Sequence, residues 1–305
     1  MRTLHVLTGC TAAGKTEWAL RWAQEHGAEI ISCDSLLFYR GMEIGTAKPT
    51  AAERASVPHH LIDICPVSEP MNVAQYVALA RQAAEEIAAR GKEVLVVGGS
   101  GFYLKAFFGP VADNVAVPQE VRERVAARLA AEGLAGLVAE LRRLNPDGLG
   151  SLDTDNPRRV ARGLERCLAS GRTLRDLAVD FARHPDPFEG WRREPRLLER
   201  PPEEIDRRIM ARVAAMLRAG LVEEVRALRT EGLEKNPSAA SAIGYREVIA
   251  MLDGRLMPAD LEAKIVRDTR ALVRKQRTWF RTQLPPHEVT RVSEQPRPGP
   301  RFSPD

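Results

Sequence analysis

Over the first hundred residues, apolar blocks alternate with polar, glycine-punctuated ones. Thr3–Thr8 reads as an apolar strand, followed by a glycine-bounded loop and a helix opening at Glu17-Trp18-Ala19. Ala28–Cys33 reads as a second buried strand ending at Asp34-Ser35, and Pro58–Ile64 as a third with polar flanks. From Val73 to Arg90, apolar residues such as Tyr76, Ala80, Ala84 and Ile87 recur at helical spacing. Asn72 suits the N-cap of that helix and Gly91 its stop. Glu93–Val97 is the clearest parallel strand and runs into Gly98-Gly99-Ser100-Gly101. Strand–helix–strand alternation of this kind predicts a doubly wound α/β sheet. The pattern changes after residue 113. Pro118–Leu144 and Arg158–Ala182 are Ala/Leu/Arg/Glu-rich helices with no strand between them, closed by the turn-rich His184–Gly190. A strand returns at Arg196–Glu199, then a long helix from Glu203 to Ala219 and further helices. The expected organisation is a core of 1–113 and 191–283, an all-helical insertion of 114–190, and a Pro/Arg/Ser-rich, disordered tail of 284–305.

The first loop, Gly9-Cys10-Thr11-Ala12-Ala13-Gly14-Lys15-Thr16, fits the phosphate-binding P-loop pattern in its expected strand-before, helix-after setting. The fold class is therefore read as α/β, a P-loop NTPase-like parallel sheet flanked by helices. Successive backbone N–H groups of such a loop converge on one anion, helped by the helix N-terminus behind them. Lys15 adds a mobile charge, and the Thr16 hydroxyl suits Mg²⁺, directly or through water. The loop predicts a di- or triphosphate without saying whether it belongs to a nucleotide.

Composition sharpens this modestly. The chain has 305 residues, 44% of them hydrophobic, enough for one sizeable core and an appendage. The first 110 residues hold 10 basic against 11 acidic side chains and the remainder 35 against 30, so the net charge of +4 arises wholly after residue 110. A near-neutral half joined to a basic one points weakly to a polyanionic partner. Cys10, Cys33, Cys65 and Cys167 show neither paired nor zinc-like spacing, and the first three, in or beside apolar runs, read as small buried hydrophobes. No apolar run is long enough to span a membrane, and strand and P-loop begin where a signal peptide would stand. A reduced, cytoplasmic protein without membrane attachment is expected.

Asp34 follows the second strand, so it belongs at the carboxyl edge of the sheet where ligands bind. It either caps a following helix or stands in the crevice as a carboxylate free to accept a proton; its position favours the second. A P-loop NTPase usually holds Mg²⁺ with an acidic residue after a later strand, and here that strand ends in Gly98-Gly99-Ser100. Gly98–Gly101 is either a plain tight turn or a second donor set aimed at the same anion. Residues 39–49, with two glycines and three phosphate-capable side chains, read as a functional loop. His59 and His60 face opposite ways on a strand, so at most one reaches the site. Arg267, Arg270, Arg274, Arg277 and Arg281 form one basic stripe on a late helix, with Ile265, Leu272 and Trp279 turned to the core. Five like charges in a row repel one another, which favours nucleic-acid phosphates over a merely solvated face.

Several of these stretches occur together in one family. The P-loop, Asp34-Ser35, Tyr39 to Pro49 with its Gly45-Thr46-Ala47-Lys48-Pro49, His59–Asp63 and Gly98–Lys105 stand in the family order. Asn156–Arg162, Ile243-Gly244-Tyr245-Arg246 and Thr269–Arg281 follow. From about residue 3 to 282 the chain closely resembles the bacterial tRNA dimethylallyltransferases. Cys10 stands where that family usually has Pro, Ala13 where Ser is common and Ser100 where Thr is usual; the zinc-finger extension of eukaryotic relatives is absent from the sequence. The resemblance implies transfer of a dimethylallyl group from dimethylallyl diphosphate to the N6 amine of the tRNA adenosine 3′ to the anticodon. Gly9, Thr11, Ala12, Ala13, Gly14, Lys15 and Thr16 would bind the diphosphate with Mg²⁺. The P-loop would then hold a leaving group, which accounts for the missing Mg²⁺ carboxylate. Asp34, Ser100 and Arg208 would be catalytic, Asp34 taking the amine proton. Asp34, Ser35, Leu36, Leu37, Ser100, Arg122, Arg158, Arg159, Val160, Ala161 and Arg162 would contact tRNA, the insertion gripping the anticodon stem-loop of a tRNA bound by a monomer.

Three rivals stand beside this. A P-loop small-molecule or nucleotide kinase shares sheet and loop but needs the missing Mg²⁺ carboxylate. An enzyme prenylating free adenine nucleotides has no use for the insertion or the arginine stripe. A non-catalytic RNA-binding protein has little use for Lys15 or Asp34.

Overall fold

The computed structural model describes residues 2–111 and 115–293. Six parallel strands form one sheet in the order β3-β2-β4-β1-β5-β6. β1 (Thr3–Gly9) is followed by α1 (Lys15–His26), β2 (Ala28–Ser32), α2 (Ala51–Ser56) and β3 (His59–His60). Then come α3 (Val73–Ala89), β4 (Glu93–Gly98) and α4 (Gly101–Lys105). The chain returns to the sheet with β5 (Arg192–Glu199), continues through α8 (Pro202–Arg218), α9 (Leu221–Thr230), α10 (Pro237–Ala240), α11 (Tyr245–Leu252) and α12 (Leu261–Gln283), and closes with β6 (Glu288–Arg291). Labels α5 to α7 fall to the helical unit described below. Among the described residues no helix is long and apolar enough to cross a membrane.

The apolar blocks explain the layers. All of β2 is buried, and Leu4, Val6, Val94 and Val96 pack on one side beneath helices that include α3, α8 and α12. Leu7, Leu95 and Ile30 pack on the other against Ala19 and Ala23 of α1. The α3 start carries the expected Asn72 cap, reinforced by Gln75 reaching back to the Asn72 N–H. Because every strand runs the same way, the P-loop, Asp34, Gly98–Gly101 and Arg200 all emerge at one sheet edge.

A second compact unit spans residues 110–186, four residues earlier at each end than the expected insertion. It contains α5 (Gln119–Leu144), α6 (Pro157–Ser170) and α7 (Leu174–Phe181), with Leu137, Leu141, Val160 and Leu164 in its own core. The expected single helix Arg158–Ala182 is two helices. Gly171 ends α6 at φ 68°, and the Thr173 hydroxyl restarts the chain by accepting from Asp176 N–H. Within α5, Gly133 is non-helical and kinks the helix.

Three further expectations are corrected. The third strand shrinks from 58–64 to His59–His60, because Leu61 and Asp63 take left-handed backbone conformations that leave the sheet. β5 begins four residues before the expected Arg196. The tail is not wholly irregular: Glu288–Arg291 pairs with Arg196–Glu199, so the strand extends the sheet edge that β5 offers. Its shortness and charge hid it from periodicity; residues 294–305 lie outside the described residues.

Candidate active site

The P-loop owes its shape to two positive-φ residues, Ala12 at 67° and Gly14 at 99°, which turn successive amides inward. Lys15 Nζ crosses the loop to donate to Gly9 O at 2.9 Å and Cys10 O at 3.0 Å. Burial pushes the Lys15 ammonium down to about 8, with the Asp34 carboxylate opposing that shift and the Arg212 guanidinium adding to it. Two arginines brace the loop from outside. Arg208 Nε donates to Ala12 O at 2.9 Å, and Arg200 Nε donates to Ala13 O at 3.0 Å while pairing with Glu204.

Lys15, Thr16, Asp34, Arg208 and Arg212 line one cavity of about 610 Å³. Ser35, Leu36, Ser100, Phe102, Gln276 and Trp279 line a second of about 790 Å³. Thr11, Asp34, Thr46 and Arg212 belong to both, so the two cavities adjoin at these residues, Asp34 bringing the one carboxylate among them. The Asp34 side chain also accepts Leu36 N–H at 3.1 Å, which fixes its turn. No helix follows it: residues 35–38 form a turn, so Asp34 closes a turn instead of capping a helix, and it lines both cavities.

Gly98 and Gly101 are required by close approach. A β-carbon on Gly98 would lie 1.9 Å from Cys33 O, and one on Gly101 would lie 2.5 Å from the Trp279 ring. The residues of Gly98–Gly101 divide between the two cavities. Gly98 lines the Lys15 cavity, but Ser100 lines the neighbouring one, where its Oγ accepts Ser35 N–H at 3.3 Å. The turn of the chain after β4 carries the hydroxyl across to the second cavity.

The expected functional loop, 39–49, reaches the site through backbone rather than charge. Lys48 is buried, bonded to Tyr39 O, Glu43 and Asp63, so its ammonium holds the loop together. Thr46 Oγ1 donates to Met42 O and Arg40 to Asp63 O. From the far side, Glu224 accepts the N–H groups of Glu43, Ile44 and Gly45, and Tyr245 donates to Glu224 at 2.6 Å. His59 lines the Lys15 cavity, and burial lowers its imidazole pKa; His60 turns away to pair with Glu29. One histidine faces the site, as strand geometry requires. The four cysteines are buried and free.

Of the P-loop residues, Thr11, Ala12, Gly14, Lys15 and Thr16 line the Lys15 cavity. Gly9 instead packs against β5, where a β-carbon would meet Leu198 O at 2.7 Å, and Ala13 is buried. Leu37 lines the Lys15 cavity, apart from Ser35 and Leu36. In the helical unit Arg122, Arg158, Arg159 and Arg162 are exposed and Ala161 is half-buried. Val160 is fully buried in that unit's core, so its side chain packs and has no surface to offer RNA. The arginine stripe is also revised. Arg267, Arg274, Arg277 and Arg281 are exposed, but Arg270 makes a two-pronged ion pair with Asp206 of α8. Leu272 and Trp279, expected in the core, line the second cavity with Ile265.

Sequence reasoning missed Arg212, Arg200, Gln276 and Glu224. Each is remote in sequence from the loop it serves, Arg200 just after β5 and the other three on helices. A signal for Arg212 existed: it stands one helical turn after Arg208, on the same face.

Among the residues lining the Lys15 cavity, Thr11, Thr16, Ser32 and Thr46 carry hydroxyls and Glu17, Asp34 and Glu53 carboxylates; of these, Thr16 directly follows the P-loop lysine. Among the described residues no group of three His, Cys, Asp or Glu side chains forms a metal cage. This donor set fits Mg²⁺, which takes one or two protein oxygens and completes its shell with phosphate and water.

The profile of the IPP transferase family matches residues 37–283. The chain is 67% identical over 284 residues to a tRNA dimethylallyltransferase of Opitutus terrae, covering 93% of this chain and 91% of that one. It is 42% identical to the tRNA dimethylallyltransferase of Deinococcus radiodurans, covering 92% and 90%. The full-length tRNA isopentenylpyrophosphate transferase of Bacillus halodurans superposes with a TM-score of 0.67 at 30% identity, over 96% of this chain and 90% of that one. A phosphate loop and a carboxylate sharing one crevice, in a chain so matched, make this protein a member of the IPP transferase family.

Proposed function

We propose that the protein is a tRNA dimethylallyltransferase: it moves the dimethylallyl group of dimethylallyl diphosphate onto the N6 amine of the adenosine 3′ to the anticodon and releases diphosphate. The observation that carries this is the position of Asp34, at the junction of the Lys15 cavity and its neighbour. The diphosphate belongs in the Lys15 cavity. There the P-loop amides, Lys15 and Arg208 receive the charge that grows on the leaving oxygen as its bond to the allylic carbon breaks. The adenine belongs in the second cavity, beside Ser35, Ser100 and Trp279, which requires the base to leave its stack.

The amine forms its new bond to the allylic carbon while the Asp34 carboxylate takes one amine proton. The exocyclic amine is far too weak an acid to give up a proton to a carboxylate in advance, so the transfer accompanies attack. Arg212 lines the same cavities as Asp34; Ser100, bonded to Ser35, orders the wall on which the base rests. Mg²⁺ held by Thr16, directly or through water, and by phosphate oxygens would supply further charge neutralisation at the diphosphate. The exposed Arg122, Arg158, Arg159 and Arg162 of the helical unit offer charges to the anticodon stem-loop. The enzyme is read as a monomer, and a tRNA substrate implies the cytoplasm.

A kinase reading has the P-loop in its favour but no carboxylate after β4, which ends in Gly98-Gly99-Ser100. The test is mass spectrometry of an unmodified anticodon stem-loop incubated with protein, Mg²⁺ and dimethylallyl diphosphate. One isoprenoid unit on the single adenosine 3′ to the anticodon is expected, with no phosphoryl transfer from ATP. An unmodified stem-loop, or prenylation of free adenine nucleotides in its place, overturns the reading.

A further inference from the structure

Gln276, on α12, is the only described side chain that bonds the backbone of both the P-loop and the β4–α4 turn. Its Oε1 accepts Thr11 N–H at 2.9 Å, and its Nε2 donates to Gly99 O at 3.1 Å. The partners fix the amide's orientation, since an N–H must face the oxygen and a carbonyl the NH₂. The fit is close. A β-carbon on Gly99 would lie 3.0 Å from Gln276 Nε2, 3.2 Å from Gly9 O and 3.5 Å from Lys15 Nζ. One amide thus spans the two loops at the point where they nearly touch, beside the lysine.

The two loops have separate duties in the proposed reaction. The P-loop holds the leaving diphosphate, and the β4–α4 turn carries Ser100, which is bonded to Ser35 beside Asp34 on the base side. Displacement at the allylic carbon needs leaving oxygen, carbon and amine in line, so the spacing of these loops sets the reacting distance. A misplacement of about 1 Å costs roughly 10²-fold in such a step. α12 is a long helix packed on α8 and supplies a stiff mount for the amide.

We infer that Gln276 is a positioning residue that sets the distance between the diphosphate cradle and the acceptor wall, and so governs the rate of transfer rather than the affinity for either substrate. This rests on the proposed transferase reading. Gln276→Ala removes both bonds. Gln276→Asn keeps the amide but is one methylene short and reaches only one loop. Gly99→Ala leaves Gln276 intact but crowds its NH₂, and Gly9 O of the P-loop as well, so it disturbs the same junction from the other side.

In the full-length protein, all three variants should lose roughly 10–100-fold in kcat, with KM for dimethylallyl diphosphate and for the stem-loop within about threefold of wild type. Hydrogen–deuterium exchange with inorganic diphosphate as the probe gives a readout independent of turnover. In wild type, diphosphate bound at the P-loop should slow exchange of the Gly98–Ser100 amides; in Gln276→Ala that slowing should vanish while the P-loop amides stay protected. A kcat within threefold of wild type, a loss confined to KM, or unchanged transmission of protection in Gln276→Ala overturns the inference. Absence of transfer by wild type counts against the transferase reading, and the exchange experiment then judges Gln276 alone.

Discussion

The Asp34 carboxylate opposes the loss of positive charge on Lys15: burial pushes the lysine down to about 8, and Asp34 is the largest influence in the other direction. The two side chains leave different strands and line one cavity. In the proposed reaction they act from opposite ends, one holding the departing anion and the other receiving the proton.

Diphosphate binding should therefore depend on pH near 8. Lys15 is charged below its pKa and neutral above it, so affinity for inorganic diphosphate should fall as pH rises through about 8. A bound anion raises the lysine pKa, so binding at pH 8.5 should take up protons. Asp34→Asn, which removes the opposing carboxylate, should move the inflection to lower pH. Calorimetry in buffers of different ionisation enthalpy measures both effects, and an affinity flat between pH 7 and 9.5 contradicts them.

The arginines of α12 should divide into two kinds. Arg274 is exposed and has no carboxylate partner among the described residues, and Arg274→Ala should weaken stem-loop binding and lower its salt dependence by about one unit of slope. Arg270 is committed to Asp206, so Arg270→Ala should leave the slope unchanged. Binding titrations from low to moderate salt decide this; equal slope changes would restore the unbroken stripe.

Asp63 should matter for stability and not for phosphate. Its carboxylate meets the buried Lys48 ammonium at 2.5 Å and Arg54 at 2.7 Å. Asp63→Ala leaves the lysine buried with less compensation, a change that costs on the order of 3 kcal/mol. Urea denaturation should show this with inorganic diphosphate affinity nearly unchanged. A loss below about 1 kcal/mol would mean the network relaxes freely.

The parts legible in the sequence were those coded locally. β1, the P-loop and α1 follow from one periodic segment and one motif, and Asp34 is found by standing where a buried strand ends. Gly98 and Gly101 were visible as glycines, but their reason, the approach of Cys33 O and Trp279, lies across the fold. Arg212, Gln276 and Glu224 escaped for the same cause: tertiary packing brings α8, α9 and α12 over loops more than 150 residues away. The helical spacing around Arg270 was correctly visible, yet Asp206 was not. The apolar face with Leu272 and Trp279 reads identically whether it fills a core or walls a cavity.

The transfer step in Asp34→Ala tests the proposed chemistry most directly. Single-turnover prenylation of an anticodon stem-loop, with stem-loop affinity measured in parallel, should show at least a ~10²-fold slower rate and an affinity close to wild type. A rate near wild type at normal affinity would remove Asp34 from the proton transfer and leave the carboxylate as an element of the loop's fold alone.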